Sequence, residues 1–420
     1  MADDVFLSEG RLVTDEGALT VAALGSPTLP TDVATLQAAL TALTARVTVL
    51  EAGTVSVASY GATGAGIADD TAAIQAAIAA APTGGRVWFP PGTYQVSAPI
   101  RLRGGLTYEG PGHGTASSAV IRQVTGANIA GANGVSGILV AGAWATNAET
   151  CDTPIRVQGL EIDGNAANNP SSDAAGIVVC SFWSTLEDCY VRDAPSHGIL
   201  LTDVTDDGTA IGNSASENRI YRCRVLDPGG DGIHQRCQNT IAHQDGYCVD
   251  NVISGGDTGI RFERGSGWVF RRNHTYGGTG HGIYLERCYA TIITENEIEA
   301  FGAEGGAGTY WAGISVSQLN GRGSHVIGNF VGSAEGDASA GGYQYISVSA
   351  ASGQADAHTV VVGNIIHGPA VTSGHGIGLV LQADFGGSVL NADIAANRVA
   401  SVDTARYVST GVVLHEPVEA

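Results

Sequence analysis

Ionisable and polar side chains recur at matching positions in three neighbouring segments of the chain that each begin with a Gly-Ile pair. The segments read GIHQR from 232, GIRFE from 259 and GIYLE from 282. Alternate side chains of an extended strand point to opposite faces, so the isoleucine is predicted to point inward and the next residue outward. One outer face then carries six side chains, here called the polar patch: His234, Arg236, Arg261, Glu263, Tyr284 and Glu286.

The two glutamates of the polar patch have the spacing that acid-base chemistry on a sugar requires. Adjacent strands lie ~4.8 Å apart, and carboxyls about 5 Å apart match the pair of a retaining glycosidase. Two like charges at that distance do not both ionise freely, so one carboxyl is expected to hold a proton near neutrality and act as general acid. We therefore predict Glu263 and Glu286 as catalytic, and add Asp231 from the preceding turn DPGGDG.

Hydrogen-bond donors surround this carboxylate pair. His234, Arg236, Arg261, Tyr284 and, in the next turn, His281 can bind sugar hydroxyls or an anionic substituent. Tyr310-Trp311, after the insertion AEGGAG, could form a stacking platform for a sugar ring. Two alternatives remain open: a solvated ladder of Arg-Glu ion pairs, each worth about 0.5 kcal/mol, and local packing of the two aromatic residues.

No motif for a metal or cofactor is present. The sequence lacks a Walker loop, a dinucleotide fingerprint, zinc spacing and a calcium loop, so neither a metal nor a cofactor is expected. The seven cysteines are odd in number and form no CxxC pair. Cys189 and Cys223 each lie nine residues before a Gly-Ile pair, which predicts that they stack in adjacent coils. An inert core stack is favoured, while a disulfide or a catalytic thiol stays open.

The elements that position the polar patch are predicted from an imperfect repeat. Gly-Ile or Gly-Val segments begin at 137, 176, 198, 232, 259, 282, 313, 376 and 411, and Asn-headed segments begin at 251, 273, 296, 329, 364 and 397. The closest spacings, 22, 23 and 27 residues, fit one coil of a parallel β-helix with three short strands. The asparagines are predicted to stack side by side at the corners.

The segment from Val55 to Tyr94 reads as a strand, a glycine turn, a helix and a second strand. Asp69, Asp70 and Thr71 are N-cap residue types. They precede an apolar stripe with helical spacing, formed by Ile74, Ala77, Ile78 and Ala81. We predict a helix that caps the first coil of the β stack.

The pattern ADDT-x2-IQ-x2-I followed by GG-x-V-x2-P-x-GTY resembles the opening segment of the pectate-lyase-like right-handed parallel β-helix superfamily. That superfamily includes bacteriophage tailspikes, capsule depolymerases, polygalacturonases and sugar epimerases. The resemblance implies an all-β, right-handed parallel β-helix and, from the tailspikes, a homotrimer on a virion tail. Gly280-His281-Gly282 is similar to a short polygalacturonase motif, but that family's Arg-x-Lys partner is missing because the chain has no lysine.

Two shorter regions precede the β-helix, which is predicted to span 53–420. Residues 1–30 are predicted to form a head that attaches to a particle. In 31–52 the apolar residues Val33, Leu36, Leu40, Leu43, Val47 and Leu50 keep a heptad spacing. We predict a short trimeric coiled coil; an amphipathic helix packed on its own chain is the alternative.

The composition limits the partners and the location. The net charge is −21, a field that disfavours nucleic acid as a partner. No apolar run reaches the ~18 residues of a membrane span, and Met1-Ala2-Asp3-Asp4 does not begin like a secretory signal. We expect no membrane contact and a place on a virion tail, or outside the cell after release.

These observations lead to three hypotheses of function. The first is a homotrimeric tailspike-like depolymerase that binds a bacterial surface or capsular polysaccharide and cleaves it by hydrolysis. The second is an adhesin of the same fold that only binds glycan. The third is a free trimeric carbohydrate enzyme of the fructan transferase, lyase or epimerase type.

Overall fold

The computed structural model describes residues 6–8, 11–14, 17–19, 37–38, 41, 53–132, 136–141, 144, 154–211, 216–237, 244–303, 310–319, 322–332, 342–368, 376–383 and 388–416. The chain divides into two compact units, Met1–Gly53 and Thr54–Ala420. In the first unit the strands Phe6–Ser8, Arg11–Thr14 and Gly17–Leu19 pair antiparallel. The coiled coil predicted for 31–52 lies almost entirely outside the described residues, and it stays a prediction, as does the homotrimer.

The second unit is built from three parallel sheets, numbered here in the order in which the chain visits them. Sheet 1 consists of Thr54–Ser56, Arg86–Trp88, Thr107–Glu109, Arg156–Gln158, Thr185–Glu187, Arg219–Tyr221, Tyr247–Val249, Val269–Arg271, Ile292–Thr294, Ser324–Ile327, Ala357–Val362, Leu390–Ala395 and Val412–His415. Sheet 2 consists of Ala65–Asp69, Gly92–Val96, Ala119–Gln123, Glu161–Asp163, Tyr190–Arg192, Arg224–Leu226, Val252–Ser254, His274–Tyr276, Glu297–Glu299, Phe330–Gly332, Ile365–His367 and Arg398–Ala400. Sheet 3 consists of Ile100–Leu102, Ser136–Ala141, Ala174–Val179, Ile199–Thr202, Ile233–Arg236, Ile260–Glu263, Ile283–Cys288, Tyr310–Gln318, Gly342–Ala350, Ile377–Gln382 and Thr404–Val408.

Each turn of the chain passes through sheets 1, 2 and 3 and stacks on the turn before it, which confirms the predicted right-handed parallel β-helix. Successive Gly-Ile segments lie in register on sheet 3, where Ile233 pairs with Ile260 and Ile260 with Ile283. These three isoleucines are fully buried. The inward positions therefore form one continuous apolar core along the stack.

The glycine of the Gly-Ile pair is required by close approach between coils. A Cβ atom at Gly232 would lie 2.6 Å from the carbonyl oxygen of Gly259 and 2.3 Å from the Ile253 side chain. Only glycine leaves room for the next coil and for the core isoleucine at that point. The repeat is thus visible in the sequence because the stack excludes every larger side chain there.

The corner between sheets 1 and 2 contains the predicted asparagine ladder. Each of its turns has two residues, the first with a positive φ angle and the second an asparagine. The asparagines are Asn251, Asn273, Asn296, Asn329, Asn364 and Asn397. The side-chain nitrogen of each of the first five donates to the side-chain oxygen of the next asparagine at 2.9–3.0 Å. Since every amide also donates to a backbone carbonyl, the ladder holds the coils in register.

Cysteines continue this ladder towards the N-terminus. Cys223 occupies the position before Asn251, and its backbone N–H donates to the Asn251 side-chain oxygen at 2.9 Å. Cys189 lies one coil earlier; both thiols are free and fully buried. Contact with Cys189 and burial raise the pKa of the Cys223 thiol. The prediction of an unreactive core stack is therefore confirmed for this pair.

Charged residues line the outside of the same corner. In five consecutive coils the residue with the left-handed backbone conformation is charged, and the charge alternates between negative and positive: Asp188, Arg222, Asp250, Arg272 and Glu295. Arg222 binds Asp188 through two nitrogens at 2.8 and 2.9 Å, and Arg272 binds Asp250 at 2.6 and 2.8 Å. These arginines, from the Arg-rich region between 219 and 287, therefore have structural partners far from sheet 3.

The α-helix Thr71–Ala80 lies at the start of the stack, as predicted, and buries Ile74, Ala77 and Ile78. Two 3₁₀ turns, Val57–Tyr60 and Ala166–Asn168, also belong to this unit. The buried Asp70 carboxylate accepts hydrogen bonds from the backbone N–H groups of Thr63 and Gly64 at 2.7 and 3.2 Å. The Asp70 side chain thus fixes the preceding glycine turn, while its backbone carbonyl accepts the Ile74 N–H at 2.9 Å in the first turn of the helix. None of the described helices is long and apolar enough to cross a bilayer.

Candidate functional site

The structure brings the polar patch together on the outer face of sheet 3. His234 pairs in register with Arg261, Arg261 with Tyr284, and Glu263 with Glu286. The residues between them, Gln235, Phe262 and Leu285, are fully buried on the inner face. The alternation of inward and outward positions is therefore as predicted, and Arg236 lies at the end of its strand, partly exposed.

His234 forms the centre of the patch and is only 5% exposed. Its Nδ1 atom lies 3.1 Å from Asp231 Oδ2, and its Nε2 atom lies 3.4 Å from Glu263 Oε1. Burial lowers the pKa of His234, but the contacts with Asp231 and Glu263 outweigh it and raise the pKa above 6.5. This histidine bridges two carboxylates, whereas the sequence predicted an open, solvent-facing donor.

Three groups contact the Glu263 carboxylate. In addition to His234, Arg261 Nη2 lies 3.2 Å from its Oε1 atom, and the Cys237 backbone N–H donates to Oε2 at 3.2 Å. Burial raises the pKa of Glu263, but the hydrogen bonds from His234 and Cys237 lower it below 4.5. Glu263 is thus ionised at neutral pH, which suits a nucleophile or general base, so the expectation that one carboxyl of the pair holds a proton stays a prediction for Glu286.

A β-bulge lies beside the second glutamate. The register between the strands Ile283–Cys288 and Tyr310–Gln318 shifts between Leu285 and Cys288, where Arg287 has a left-handed φ of 55°. A bulge re-aims the side chains of its strand and is common next to active sites. Among the described residues, no hydrogen bond or ion pair engages the Glu286 carboxylate, which lies half-buried on the patch.

Asp231, predicted as catalytic, is only 3% exposed. Its Oδ1 atom accepts a hydrogen bond from the Thr258 N–H at 3.1 Å, and its Oδ2 atom faces His234. Burial raises the pKa of Asp231, but the hydrogen bond from His234 and the nearby His234, His197 and Arg261 together lower the net pKa. A carboxylate enclosed in this way is placed to orient the histidine, and its catalytic role stays a prediction.

His197 was missed from the sequence and completes this cluster. Its Nδ1 atom accepts the Asp231 backbone N–H at 3.0 Å, its Nε2 atom lies 3.2 Å from His234 Nδ1, and the two rings meet edge-on at 4.4 Å. Burial, followed by the charge of His234, lowers the pKa of His197 to about 4. The available signal was its position directly before a Gly-Ile pair, the same position that His281 occupies three coils further along the stack.

The donor atoms of His197, Asp231 and His234 lie within 4.8 Å of one another, close enough to be tested as a metal site. The Asp231 N–H occupies the lone pair of His197 Nδ1, so the neutral ring carries its proton on Nε2, where it cannot ligate a cation. These residues therefore fit a metal poorly. His274, Glu297 and Glu299 form a second close group, on the outer face of sheet 2.

Aromatic rings flank the patch on the side of sheet 2. His281 stacks on Tyr284 at 4.7 Å and meets Trp311 edge-on at 5.2 Å. The Ala312 N–H donates to His281 Nδ1 at 2.9 Å, and burial lowers the pKa of His281 to about 4. Tyr310 is 61% exposed at the start of its strand, and no described contact joins it to the patch. Trp311 is thus part of the site, whereas Tyr310 is not brought to it.

Replacing His197 by glutamine should flatten the pH dependence of stability. The folded pKa of about 4 lies below the ordinary value of 6.5, so the unfolded chain binds a proton first and stability falls as the pH is lowered through this window. Melting temperatures measured from pH 7 to pH 4 should decline less steeply in His197→Gln than in wild type. His325→Gln, on the outer face of sheet 1, should keep the wild-type slope; equal slopes in all three proteins would contradict the prediction.

A coiled stack of three parallel sheets, with a charged and aromatic patch on the outer face of sheet 3, defines a parallel β-helix protein. The chain belongs to the rhamnogalacturonase A/epimerase, pectate lyase-like family, whose model matches residues 54–307. The matched region includes the whole of the polar patch.

Individual relatives are similar over part of their length. A mannuronan C5-epimerase, AlgE5 of Azotobacter vinelandii, is 28% identical over 265 residues, which make up 60% of this chain and 22% of the relative. The preneck appendage protein of Bacillus phage PZA is 27% identical over 248 residues, 55% of this chain and 27% of the relative. The chain therefore spans about a quarter of the length of these curated relatives.

The fold also has counterparts among solved structures. The A-module of the A. vinelandii mannuronan C-5 epimerase AlgE6 superposes with a TM-score of 0.57 at 20% identity, covering 87% of this chain and all of that module. At this identity the likeness establishes the fold alone.

Proposed function

We propose that this chain is a tailspike-like depolymerase that binds a bacterial surface or capsular polysaccharide and hydrolyses it at the polar patch. One observation carries the proposal: Glu263 is kept ionised by His234, Arg261 and Cys237 directly beside Glu286, its register partner. Hydrolysis of a glycosidic bond needs one charged and one proton-donating carboxyl on the same face.

The roles within the patch follow from these contacts. Glu263 acts as nucleophile or general base, and Glu286, whose carboxylate has no described partner, acts as general acid. Asp231 and His197 position His234, while Arg261, Arg236, Tyr284, His281 and Trp311 bind the sugar. Preorganised donors in a partly buried site act more strongly than they would in water.

The similarity to a phage preneck appendage protein supports a place on a virion. In this proposal residues 1–30 attach the protein to a baseplate or tail, residues 31–52 form the trimer, and the β-helix meets the host glycan. Deleting residues 1–52 should abolish attachment to the particle. A free enzyme would lose nothing by the same deletion.

A second candidate is a lyase or epimerase, favoured by the 28% identity to a mannuronan epimerase and by Arg261, whose guanidinium lies 5.7 Å from the Tyr284 ring centre. An ionised base, a phenol and a guanidinium are the groups that proton abstraction beside a sugar carboxylate uses. In this case Glu263 would be the base and Arg261 the partner of the substrate carboxylate.

One screen separates these functions. The wild-type protein is incubated with mannuronan and with capsular polysaccharides and O-chains purified from a panel of bacterial strains. Hydrolysis gives new reducing ends without ultraviolet absorbance, a lyase gives absorbing unsaturated ends, an epimerase changes the uronate composition without new ends, and an adhesin retains glycan unchanged. Reducing ends that persist in the double variant Glu263→Gln/Glu286→Gln would reject the carboxylate assignment.

A further inference from the structure

The outer face of sheet 3 changes character along the stack. Outward positions of the strands before the patch are aliphatic and buried, namely Val140, Val178 and Leu200, at 0–2% exposure. After the buried His234, the next positions of the same row, Arg261, Tyr284 and Ser315, are polar and partly exposed, and the row is buried again at Ser347 and Val380. Something therefore covers the first coils and ends at the patch.

The covering structure, here called the roof, consists of residues 126–132, Trp144 and residues 203–211. Its apolar side chains Ile129, Trp144, Val204 and Ile211 are 2–4% exposed. The roof is tied together where the Ala132 N–H donates to Asp206 Oδ1 at 3.2 Å and the Asp206 N–H approaches the Trp144 carbonyl at 3.4 Å. Sheet 3 is therefore buried on both faces beneath it.

The roof is also joined to the catalytic carboxylate. Cys237 Sγ lies 3.3 Å from Asp203 Oδ2 at the base of the roof, and the Cys237 backbone N–H donates to Glu263. The edge of the roof, at Asp203, thus contacts Cys237, the residue directly after the strand that carries His234 and Arg236.

A second outward row forms an open track that begins at this edge. Arg236, Glu263, Glu286, Ser317, Ser349 and Gln382 are partly exposed on consecutive strands. Thr202, the register partner of Arg236 on the roof side, is fully buried. At ~4.8 Å per strand the track is about 24 Å long, and Glu263 lies two strands, about 10 Å, from the buried Thr202.

The paired serines of the track offer small hydroxyl groups rather than bulky side chains. Ser317 pairs with Ser349 on the two long strands after the patch, and both are partly exposed, whereas Ser347, the partner of Ser315 in the neighbouring row, is buried. A row of hydroxyls on a flat sheet can hydrogen-bond sugar hydroxyls without filling the space that a glycan needs.

We propose that this track is the glycan-binding cleft, closed at the roof and open along Ser317 and Ser349. The enzyme then cuts short pieces from a chain end. This inference rests on the proposed function. The scissile bond lies at Glu263 and Glu286, only a short terminal piece fits between these residues and the roof, and the remaining polymer lies across Ser317 and Ser349 towards Gln382.

The first test follows product length with the panel polysaccharide that the wild-type protein degrades, size-fractionated and labelled at one end. At low conversion the expected products are short and of one size, while the bulk polymer stays long. Fragments of intermediate length at early times would overturn the closed end, even though hydrolysis itself would stand.

The second test does not need cleavage. In a Glu263→Gln background, Ser349→Trp should block the track and weaken binding of the same long polymer by at least tenfold, while binding of the short product stays unchanged. Thr294→Trp, on the outer face of sheet 1, is the matched control. Unchanged binding in Ser349→Trp would overturn the track; weakened binding in a protein that releases no ends would keep the track and reject hydrolysis.

Discussion

Glu263→Gln is expected to lower kcat by about 10²–10⁴-fold. Glutamine keeps the volume of the side chain and can still accept the Cys237 N–H at 3.2 Å, but it removes the negative charge that attacks or deprotonates. His234 would then keep only one carboxylate partner, Asp231. Steady-state rates on the glycan identified in the screen measure the loss.

Two variants make this result specific. Glu297→Gln, on the outer face of sheet 2, should retain wild-type kcat because it lies on a different sheet. Glu286→Gln should lose most activity on the natural polymer but less on an activated aryl glycoside, whose leaving group needs little protonation. A loss of less than tenfold in Glu263→Gln with intact fold would remove Glu263 from the chemistry.

Asn296→Ala is expected to lower the free energy of unfolding by about 2–5 kcal/mol. The Asn296 amide donates to the Phe270 carbonyl at 3.0 Å and to the Asn329 side chain at 2.9 Å. Its oxygen accepts the backbone and side-chain N–H groups of Asn273, both at 3.0 Å. Alanine leaves a buried donor and a buried carbonyl without partners, at a site that water does not reach.

The end of the ladder provides the control. Asn397 binds Val361 and Asn364 in the same way, but it is partly exposed in the structure, so water can replace lost hydrogen bonds. Chemical denaturation followed by circular dichroism should give a much smaller shift for Asn397→Ala. Equal shifts in the two variants would mean that the ladder does not stabilise the stack through buried hydrogen bonds.

The sequence predicts the register of this fold well because the repeat is imposed locally. Gly232 and Asn251 recur in each coil for steric and hydrogen-bonding reasons that act between immediate neighbours. Aligning the coils on the glycine was therefore enough to place Glu263 beside Glu286 and His234 beside Arg261.

The charge states within the site were not predictable in the same way. Whether Asp231 faces a substrate or His234 depends on a side-chain rotamer in a turn. The contact of His197 with His234 depends on ring orientation across two coils. Cys237 acts through its backbone N–H, which no residue type reveals. The roof was equally hidden, because the covering residues are distant along the chain and carry no repeat.

The connecting segments at the corners of the coils differ in how much their length varies. From Arg219 onward the turn from sheet 1 to sheet 2 is always two residues, whereas the connection from sheet 3 back to sheet 1 ranges from three residues at 289–291 to sixteen at 203–218. The asparagine corner thus keeps a constant length, whereas the corner between sheets 3 and 1 accepts insertions. Loops from another member of the family could be grafted onto the corner between sheets 3 and 1 without disturbing the fold, which makes the surface that they form an exchangeable part of this molecule.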